Sequence, residues 1–295
     1  AYSMIRRKSF NDARVLKKSQ VIIDATELDE GYQKKNDYYL SRCYNRGKAD
    51  KFMKYHRSVL EAKLYLGNDF VCSIASEPIE NTEEYINQSD EKIKQDCESK
   101  AFVRLAKKIK KSFPRLPIII TADGLYVSQK VIQTCTDNGW DYIIRYKEGC
   151  APSIAQEYQE LPEKEKIGSE IEYQNQIMFQ NTDVNLTYYT EKKIKPDEKK
   201  ETTEFAWIAD ITITKNNARK IVNAGRNRWK IENQGFNRQK HWRGNIEHAC
   251  SWNEQAQKNH YLMEQIADFI KQLYEYYYLK KNEINLPFKT NKNFA

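Results

Sequence analysis

Residues 117–147 read PIIITADGLYVSQKVIQTCTDNGWDYIIRYK. The apolar run 118–122 is typical of a buried strand, and an Asp-Gly pair that favours a turn follows it. A helical pattern over 127–137 comes next and ends at an Asn-Gly pair, a common C-terminal cap. Residues 140–146 are again strand-like. This stretch therefore predicts a strand–helix–strand unit, the element of a sheet that carries helices on its faces.

Upstream of this unit, the sequence predicts a further strand, a hairpin and a helix. Residues 19–24 form the strand, and the polar, Tyr-rich residues 27–57 are expected to be irregular. Two strands at 58–66 and 70–76 flank a Gly-Asn-Asp turn, which is hairpin chemistry. Helical spacing covers 83–113. Its apolar positions recur every four residues, at Ile93, Cys97, Ala101, Leu105 and Ile109.

Downstream, the composition changes twice. Residues 151–204 are acidic and contain strand-like pieces, and 205–214 (FAWIADITIT) is a strong strand pattern. We therefore expect a β-rich insertion here. Residues 216–240 predict a long basic helix with an interruption at Gly225 or Gly235. A last helix is predicted over 253–280. Its expected apolar side is formed by Leu262, Ile266, Phe269, Ile270 and Leu273.

The order of these elements predicts an α/β fold. A mixed sheet with flanking helices, interrupted by a β-rich insertion before a C-terminal helix, fits the RNase H-like fold, although several α/β folds share the order of its first half. The predicted parts are a basic N-terminal segment (1–20), the first part of the core (21–150), the β-rich insertion (151–214), the C-terminal helical part (215–282) and a tail (283–295).

Charge is concentrated in one part of the chain. The 295 residues carry a net charge of +8. Residues 215–245 hold nine Lys and Arg and one acid, Glu232, so this stretch accounts for the whole excess. Such a concentration indicates a polyanionic partner, with nucleic acid first, although a solvated basic helix face is the common alternative.

Other classes of protein fit the sequence poorly. No apolar run approaches the ~18 residues of a membrane span, and the first residues do not form a secretory signal. The six cysteines form no CxxC pair, and the four histidines form no HExxH motif. We therefore expect reduced thiols and neither structural zinc nor cysteine catalysis.

Three carboxylates stand out by their positions. Asp24 and Asp123 each follow an apolar strand, and Glu232 lies inside the basic helix. Carboxylates at the ends of adjacent strands can meet at one sheet edge, and a helix packed there can add a third. Oxygen donors of this kind suit Mg²⁺ or Mn²⁺.

Each carboxylate also has a simpler interpretation. An Asp after a strand is most often a turn residue or a helix cap, and Asp29 and Asp37 compete with Asp24 for the same role. Glu232 could pair with Arg228 one helical turn earlier, although an acid C-terminal to its base is the weaker orientation.

Three motifs raise these carboxylates above the alternatives. The run 225–240, GRNRWKIENQGFNRQK, resembles the C-terminal signature of DDE-type insertion-sequence transposases, in the subgroup with a β-strand insertion between the second Asp and the Glu. Residues 121–126 (TADGLY) are similar to the second-Asp motif of that family. Residues 21–26 (VIIDAT) resemble its first-Asp motif, where Asp-Gly-Thr is usual. The resemblance covers nearly the whole chain.

The resemblance implies a transposase that cleaves DNA at transposon ends and transfers the freed 3′-hydroxyl into target DNA. Asp24, Asp123 and Glu232 would be catalytic and would hold two Mg²⁺ or Mn²⁺ ions. Arg228 matches the family Arg four residues before the Glu and would contact phosphate. The DNA-binding candidates are Arg226, Arg228, Lys230, Arg238 and Lys240, with Trp207 as a residue that could stack on an unpaired base or be buried in its strand.

The sequence departs from the family pattern at three points. Gly225 stands where the family has Tyr, and Gln239 stands where it has Lys, with Lys240 one residue later. Family members usually carry a DNA-recognition region before the first Asp, whereas 23 residues precede Asp24, so truncation is expected.

These inferences predict particular partners and alternatives. The expected partners are double-stranded DNA, as terminal inverted repeats and target, and a second copy of the chain when DNA ends are bound. The predicted location is the bacterial cytoplasm, at the nucleoid. A DNA-binding transposase remnant without activity and another RNase H-like nuclease without strand transfer are the alternative functions.

Overall fold

The computed structural model describes residues 5, 10–67, 69–81, 95–194 and 200–279. The strands are β1 (Ser19–Gly31), β2 (Leu40–Tyr44), β3 (Phe52–Tyr65), β4 (Val71–Ile79), β5 (Ile118–Ala122), β6 (Asp141–Tyr146), β7 (Glu165–Ile167), β8 (Ile171–Phe179), β9 (Thr182–Ile194) and β10 (Lys200–Ala209). The α-helices are α1 (Glu98–Ser112), α2 (Gln129–Asn138), α3 (Pro152–Glu160), α4 (Ala218–Asn227) and α5 (Glu254–Tyr274).

The chain forms two compact units built from alternating segments. Among the described residues, the first unit contains 24–67, 69–81, 95–112 and 230–279, and the second contains residue 5, 10–23, 113–194 and 200–229. Strand β1 therefore begins in the second unit and continues into the first. The boundaries predicted from the sequence follow another division and stay a prediction.

In the first unit the strand order is β2-β3-β1, and β4 pairs with β3. The predicted hairpin is confirmed, because β3 and β4 are antiparallel and Leu64 faces Cys72 in the register. The prediction of irregular structure over 27–57 was wrong, since β2 and the first half of β3 lie there. Aromatic pairing explains the difference: the rings of Tyr44 and Phe52, opposite each other on these strands, stack at 5.0 Å.

Helix α1 packs on β3 and β4. The predicted four-residue spacing is confirmed at Ala101, Leu105 and Ile109, and Pro114 follows the end of the helix, as expected. Cys97, also predicted on the apolar side, is exposed and precedes the helix. The predicted start at Glu83 lies outside the described residues. The buried side of the helix consists of Ala101, Phe102, Leu105, Ala106 and Ile109.

Helix α5 buries a different face from the one that its sequence predicts. Leu262, Ile266 and Ile270 of the expected apolar side are 46%, 59% and 60% exposed. The buried positions keep helical spacing but are mostly polar: Gln257, Tyr261, Gln265, Asp268 and Gln272. The reason is that β3 presents two fully buried polar side chains, Glu61 and Lys63, which require polar partners.

In the second unit the strand order is β1-β5-β6-β10-β9-β8-β7. The β1–β5 and β5–β6 pairs are parallel, and the pairs from β6 to β7 are antiparallel. Helices α2 and α4 pack on β6, and α3 packs on β8. This mixed sheet with flanking helices confirms the predicted α/β fold class, an RNase H-like architecture with added antiparallel strands.

The predicted β-rich region also contains a helix that the sequence pattern did not reveal. Helix α3 begins with Pro152 at its first position and buries Ile154 and Tyr158, one turn apart. The other residues of this helix are mostly polar, so the two buried positions gave no clear helical pattern in the sequence. Strand β10 ends at Ala209 rather than Thr214, and the next residue, Asp210, instead accepts a hydrogen bond from the backbone of Tyr142.

Two further predictions concern the whole chain. Within the described ranges, no helix combines the length and the apolar composition that crossing a membrane demands. All six cysteines are free thiols.

The buried Glu61 is expected to make stability depend on pH. Burial raises the pKa of Glu61 above its ordinary value of 4.5, although its carboxylate accepts hydrogen bonds from Ser73 and Tyr261. The folded state therefore keeps a proton that the unfolded chain releases, so the free energy of unfolding falls as pH rises above about 4.5. Urea unfolding between pH 4 and 7 should show this decline, and Glu61→Gln should flatten it. Equal slopes for both proteins would contradict the assignment.

Candidate active site

Asp24 lies on β1, and Asp123 directly follows β5, the parallel neighbour of β1. The last registered pair between β1 and β5 joins Ile22 to Thr121, and each Asp follows its member of that pair by two residues. Asp123 caps a single 3₁₀ turn, since its Oδ1 accepts from Leu125 N at 2.9 Å. Asp24 lies within β1 rather than at its end, because the strand continues to Gly31, and its Oδ1 accepts from the next backbone N–H.

The two acids that compete with Asp24 have structural partners. Asp29 accepts a hydrogen bond from Tyr39 and pairs with the guanidinium of Arg57. Asp37 pairs with Lys34 at 3.2 Å. Both contacts give these carboxylates a role within the fold.

Glu232 lies in an irregular helical segment. Helix α4 ends at Asn227, a turn follows at Arg228, and π-helical hydrogen bonding covers Ile231–Phe236 and then Gln239–Arg243. Glu232 is half-buried in the first of these. The long basic helix is thus confirmed in outline, with the break at Arg228 and not at Gly225. Short π-helical stretches occur frequently at functional sites.

The three carboxylates suit a divalent ion by their chemistry. Carboxylate oxygens are the hard donors that Mg²⁺ and Mn²⁺ take in proteins. Among the described residues, no three His, Cys, Asp or Glu side chains are gathered so that they could hold a metal ion. The fit therefore rests on the donor type and on the matched positions of Asp24 and Asp123, and the metal site stays a prediction.

Four predicted DNA-binding residues already have acidic partners. Arg226 pairs with Glu191 at 3.3 Å, Lys230 with Asp69 at 2.8 Å, and Lys240 with Glu247 at 2.8 Å. Arg238 reaches Asp69 at 3.9 Å and is only 8% exposed. Partly exposed pairs can exchange a carboxylate for a phosphate, whereas the buried Arg238 offers little surface to DNA.

The position of Trp207 argues against stacking on a DNA base. Its side chain is 2% exposed and packs under α4. A Cβ on Gly225 would lie 2.3 Å from Trp207 Nε1, so the indole occupies the space beside this glycine. The structure therefore favours the alternative of a buried strand residue.

Arg145 is a functional candidate that sequence reasoning missed. It lies on β6, with its guanidinium 4.6 Å from the ring centre of Phe205 and 5.3 Å from that of Trp207. Its Nη2 donates to the backbone carbonyl of Glu204 at 3.3 Å, whereas its buried Nη1 has no hydrogen-bond partner among the described residues. Burial, together with the positive charges of Arg226 and Arg228, lowers the pKa of Arg145 to about 10.

Arg145, Arg226 and Arg228 form an arginine cluster. The Arg226 guanidinium lies 4.1 Å from the ring centre of Phe205, the same ring that Arg145 covers. Like charges gathered in a partly buried place are stabilised by an anion, and guanidinium groups match phosphate geometry. A lone Arg within the apolar run 142–146 is the sequence signal that could have identified this cluster.

The comparisons with known proteins agree with the motifs. The model of the transposase DDE domain family matches residues 94–263, more than half of the chain. The match includes Asp123 and Glu232, while Asp24 lies before it. No curated protein matches the chain significantly. With a family match of this extent over an RNase H-like sheet, the chain belongs to the transposase DDE domain family.

Proposed function

We propose that this chain is a DNA transposase that cleaves phosphodiester bonds at transposon ends and joins the freed 3′-hydroxyl to target DNA. The observation that supports the proposal is the register of β1 and β5 within a DDE-family chain, since Asp24 and Asp123 each follow its last pair, Ile22 and Thr121, by two residues. Glu232, in the signature run of that family, completes the set of three carboxylates.

The two steps use the same chemistry. In the first, a water oxygen attacks the phosphorus at the transposon end, and the 3′-oxygen of the transposon strand leaves. In the second, that 3′-hydroxyl attacks a target phosphodiester, and a target 3′-oxygen leaves. Asp24, Asp123 and Glu232 would hold two Mg²⁺ or Mn²⁺ ions, which when bound activate the attacking oxygen and stabilise the leaving one.

The basic residues are proposed to bind DNA phosphates. Arg228 and Arg226, with Arg145, are proposed to hold phosphates near the cleaved bond, where a bidentate guanidinium suits the phosphate oxygens. Lys230 and Lys240 would release Asp69 and Glu247 when DNA phosphates replace those carboxylates. The proposed partners are terminal inverted repeats, target DNA and a second copy of the chain. We place this activity in the bacterial cytoplasm, at the nucleoid.

Replacing Arg145 by Met removes a charged hydrogen-bond donor and is expected to weaken binding to a short DNA duplex about tenfold. The slope of log affinity against log salt should fall by about 1, the loss of one phosphate contact. Fluorescence anisotropy between 50 and 200 mM salt measures both. Arg219→Met is the matched control, because Arg219 is exposed, pairs with Glu170 and stacks on Tyr189. Equal losses in the two variants would contradict a specific role for Arg145.

Strand capture separates the three functions. A labelled duplex that ends in the repeats flanking the coding region is incubated with the chain, Mg²⁺ and a supercoiled plasmid. A transposase transfers label to the plasmid, whereas a plain nuclease releases cut ends without transfer. An inactive remnant binds the duplex and neither cuts nor joins it. Transfer that persists in EDTA would overturn the metal-dependent mechanism.

A further inference from the structure

A lysine is completely buried beneath the helical segment that carries Glu232. Lys63 lies on β3 and is 0% exposed. Its Nζ donates to the side-chain oxygen of Gln239 at 3.2 Å and to that of Gln265 at 3.1 Å. A buried ammonium is costly unless its donors are satisfied, so these two bonds hold their partners firmly.

Lys63 contacts the helical segment 231–243, which carries Glu232, at three residues. A Cβ on Gly235 would lie 3.2 Å from Lys63 Cδ and Cε, so the lysine stem packs against the bare glycine backbone. The ammonium lies 5.5 Å from the ring centre of Phe236. One turn later it bonds to Gln239. These contacts begin three residues after Glu232.

A polar network ties the anchor, the hydrogen-bonded pair of Lys63 and Gln239, to α5 and β4. Gln239 Nε2 donates to Gln265 at 2.8 Å and to Asp268 at 3.1 Å. Gln272 donates to the same Asp268 oxygen and exchanges hydrogen bonds with both backbone groups of Val71. The anchor is therefore tied to a strand backbone and not only to other side chains.

The π-helical geometry explains why an anchor is needed. A π turn holds one residue more than an α turn, and each residue of an α-helix rotates the chain by about 100°. If the Ile231–Phe236 stretch reverted to α-helix, Glu232 would rotate relative to Gln239. An apolar residue at 63 would fill the space but would not select between the two registers.

We propose that Lys63 is a positioning residue: by bonding Gln239 and packing on Gly235, it holds the π-helical register that presents Glu232 to the metal. The inference rests on the proposed function of Glu232. Lys63 itself touches neither DNA nor metal, because it is completely buried. Its loss is expected to weaken metal binding, as does the loss of residues that orient metal ligands.

Two measurements on Lys63→Met test the proposal. Hydrogen exchange should accelerate about tenfold or more at the amides of residues 231–239 and stay unchanged in β5. The Mn²⁺ concentration that gives half-maximal DNA nicking should rise about tenfold or more, the range found when an outer-shell partner is lost, while the rate at saturating Mn²⁺ changes little. Gln239→Leu, which removes the same bond from the helix side, should reproduce both effects and serves as the test if Lys63→Met does not fold.

Ile154→Ala is the control for general destabilisation, because Ile154 is completely buried in α3 of the second unit. It should lower stability and leave the Mn²⁺ midpoint unchanged. An unchanged midpoint and unchanged exchange in both anchor variants would overturn the role of Lys63. A wild-type chain that nicks with no divalent metal would instead overturn the proposed function, and the two failures are thus distinct.

Discussion

Replacing Glu232 by Gln is expected to reduce metal-dependent nicking at a transposon end by about 10³-fold or more. The amide keeps the shape of the side chain and removes the negative charge that a divalent ion requires. DNA binding should remain, because the arginine cluster lies outside this substitution. Single-turnover nicking of a labelled duplex in Mg²⁺, with anisotropy for binding, measures both effects.

Glu254→Gln is the matched control for this experiment. Glu254 is also a partly buried helical glutamate, but it pairs with Lys258 at the start of α5. Its substitution should change nicking less than threefold, since exposed or partly exposed pairs contribute little. Nicking by Glu232→Gln at the wild-type rate would remove Glu232 from the site and leave the family signature without its catalytic acid.

Substitution of Gly225 is expected to damage the second unit severely. An added Cβ would lie 2.3 Å, 2.4 Å and 2.7 Å from three atoms of the five-membered ring of Trp207. Overpacking of a core costs about 1–3 kcal/mol, which exceeds the gain of about 1 kcal/mol when Ala replaces Gly in a helix. Gly225→Ala should therefore lower the free energy of unfolding by about 2 kcal/mol, and Gly225→Tyr, the residue usual in the family, by more.

A double-mutant cycle tests the cause of this loss. Phe at position 207 lacks the pyrrole atoms that meet the added Cβ, so Gly225→Ala should cost less in a Trp207→Phe background than in the wild type. Gly149→Ala is the control, because a Cβ there meets nothing within 4 Å. Urea unfolding of the four proteins in the cycle measures the coupling. A Gly225→Ala chain as stable as the wild type would contradict the packing seen in α4 and β10.

Local sequence patterns were sufficient for elements whose burial is apolar. Strand β5 was predicted with its observed bounds, because an uninterrupted apolar run lies between Pro117 and an Asp-Gly turn. The end of helix α2 was predicted to within one residue, since the Asn-Gly pair marks it and Gly139 adopts a left-handed conformation. Its start lies two residues after the predicted Val127, because Ser128 caps the helix. These signals lie within a few residues of the elements that they determine.

Long-range polar contacts were beyond the reach of such patterns. The buried face of α5 follows Glu61 and Lys63, about 200 positions earlier in the chain, so its hydrophobic periodicity pointed to the wrong side. Arg145 became a candidate because the positive charges of Arg226 and Arg228, far along the chain, act on its guanidinium. The π-helical segment around Glu232 likewise contacts Lys63, and no helical spacing predicts these contacts.

The candidate carboxylates were found for a different reason. Asp123 and Glu232 lie in motifs of a family whose model matches this part of the chain, and the register of β1 and β5 supports Asp24. The DNA-binding residues stay predictions. Arg238 and Trp207 are buried and offer DNA little surface, and Arg145, the further candidate on β6, was not predicted from the sequence.

A substitution of Asp24 tests most directly whether three carboxylates form the active site. The family match over residues 94–263 does not include Asp24, so its role needs separate evidence. The measurement is the rate of Mg²⁺-dependent nicking at a transposon end by Asp24→Asn, beside Asp37→Asn. Asp37 is the exposed neighbour that pairs with Lys34. We expect Asp24→Asn to lose about 10³-fold or more and Asp37→Asn to cut at the wild-type rate. Equal rates for Asp24→Asn and the wild type would contradict the three-carboxylate site.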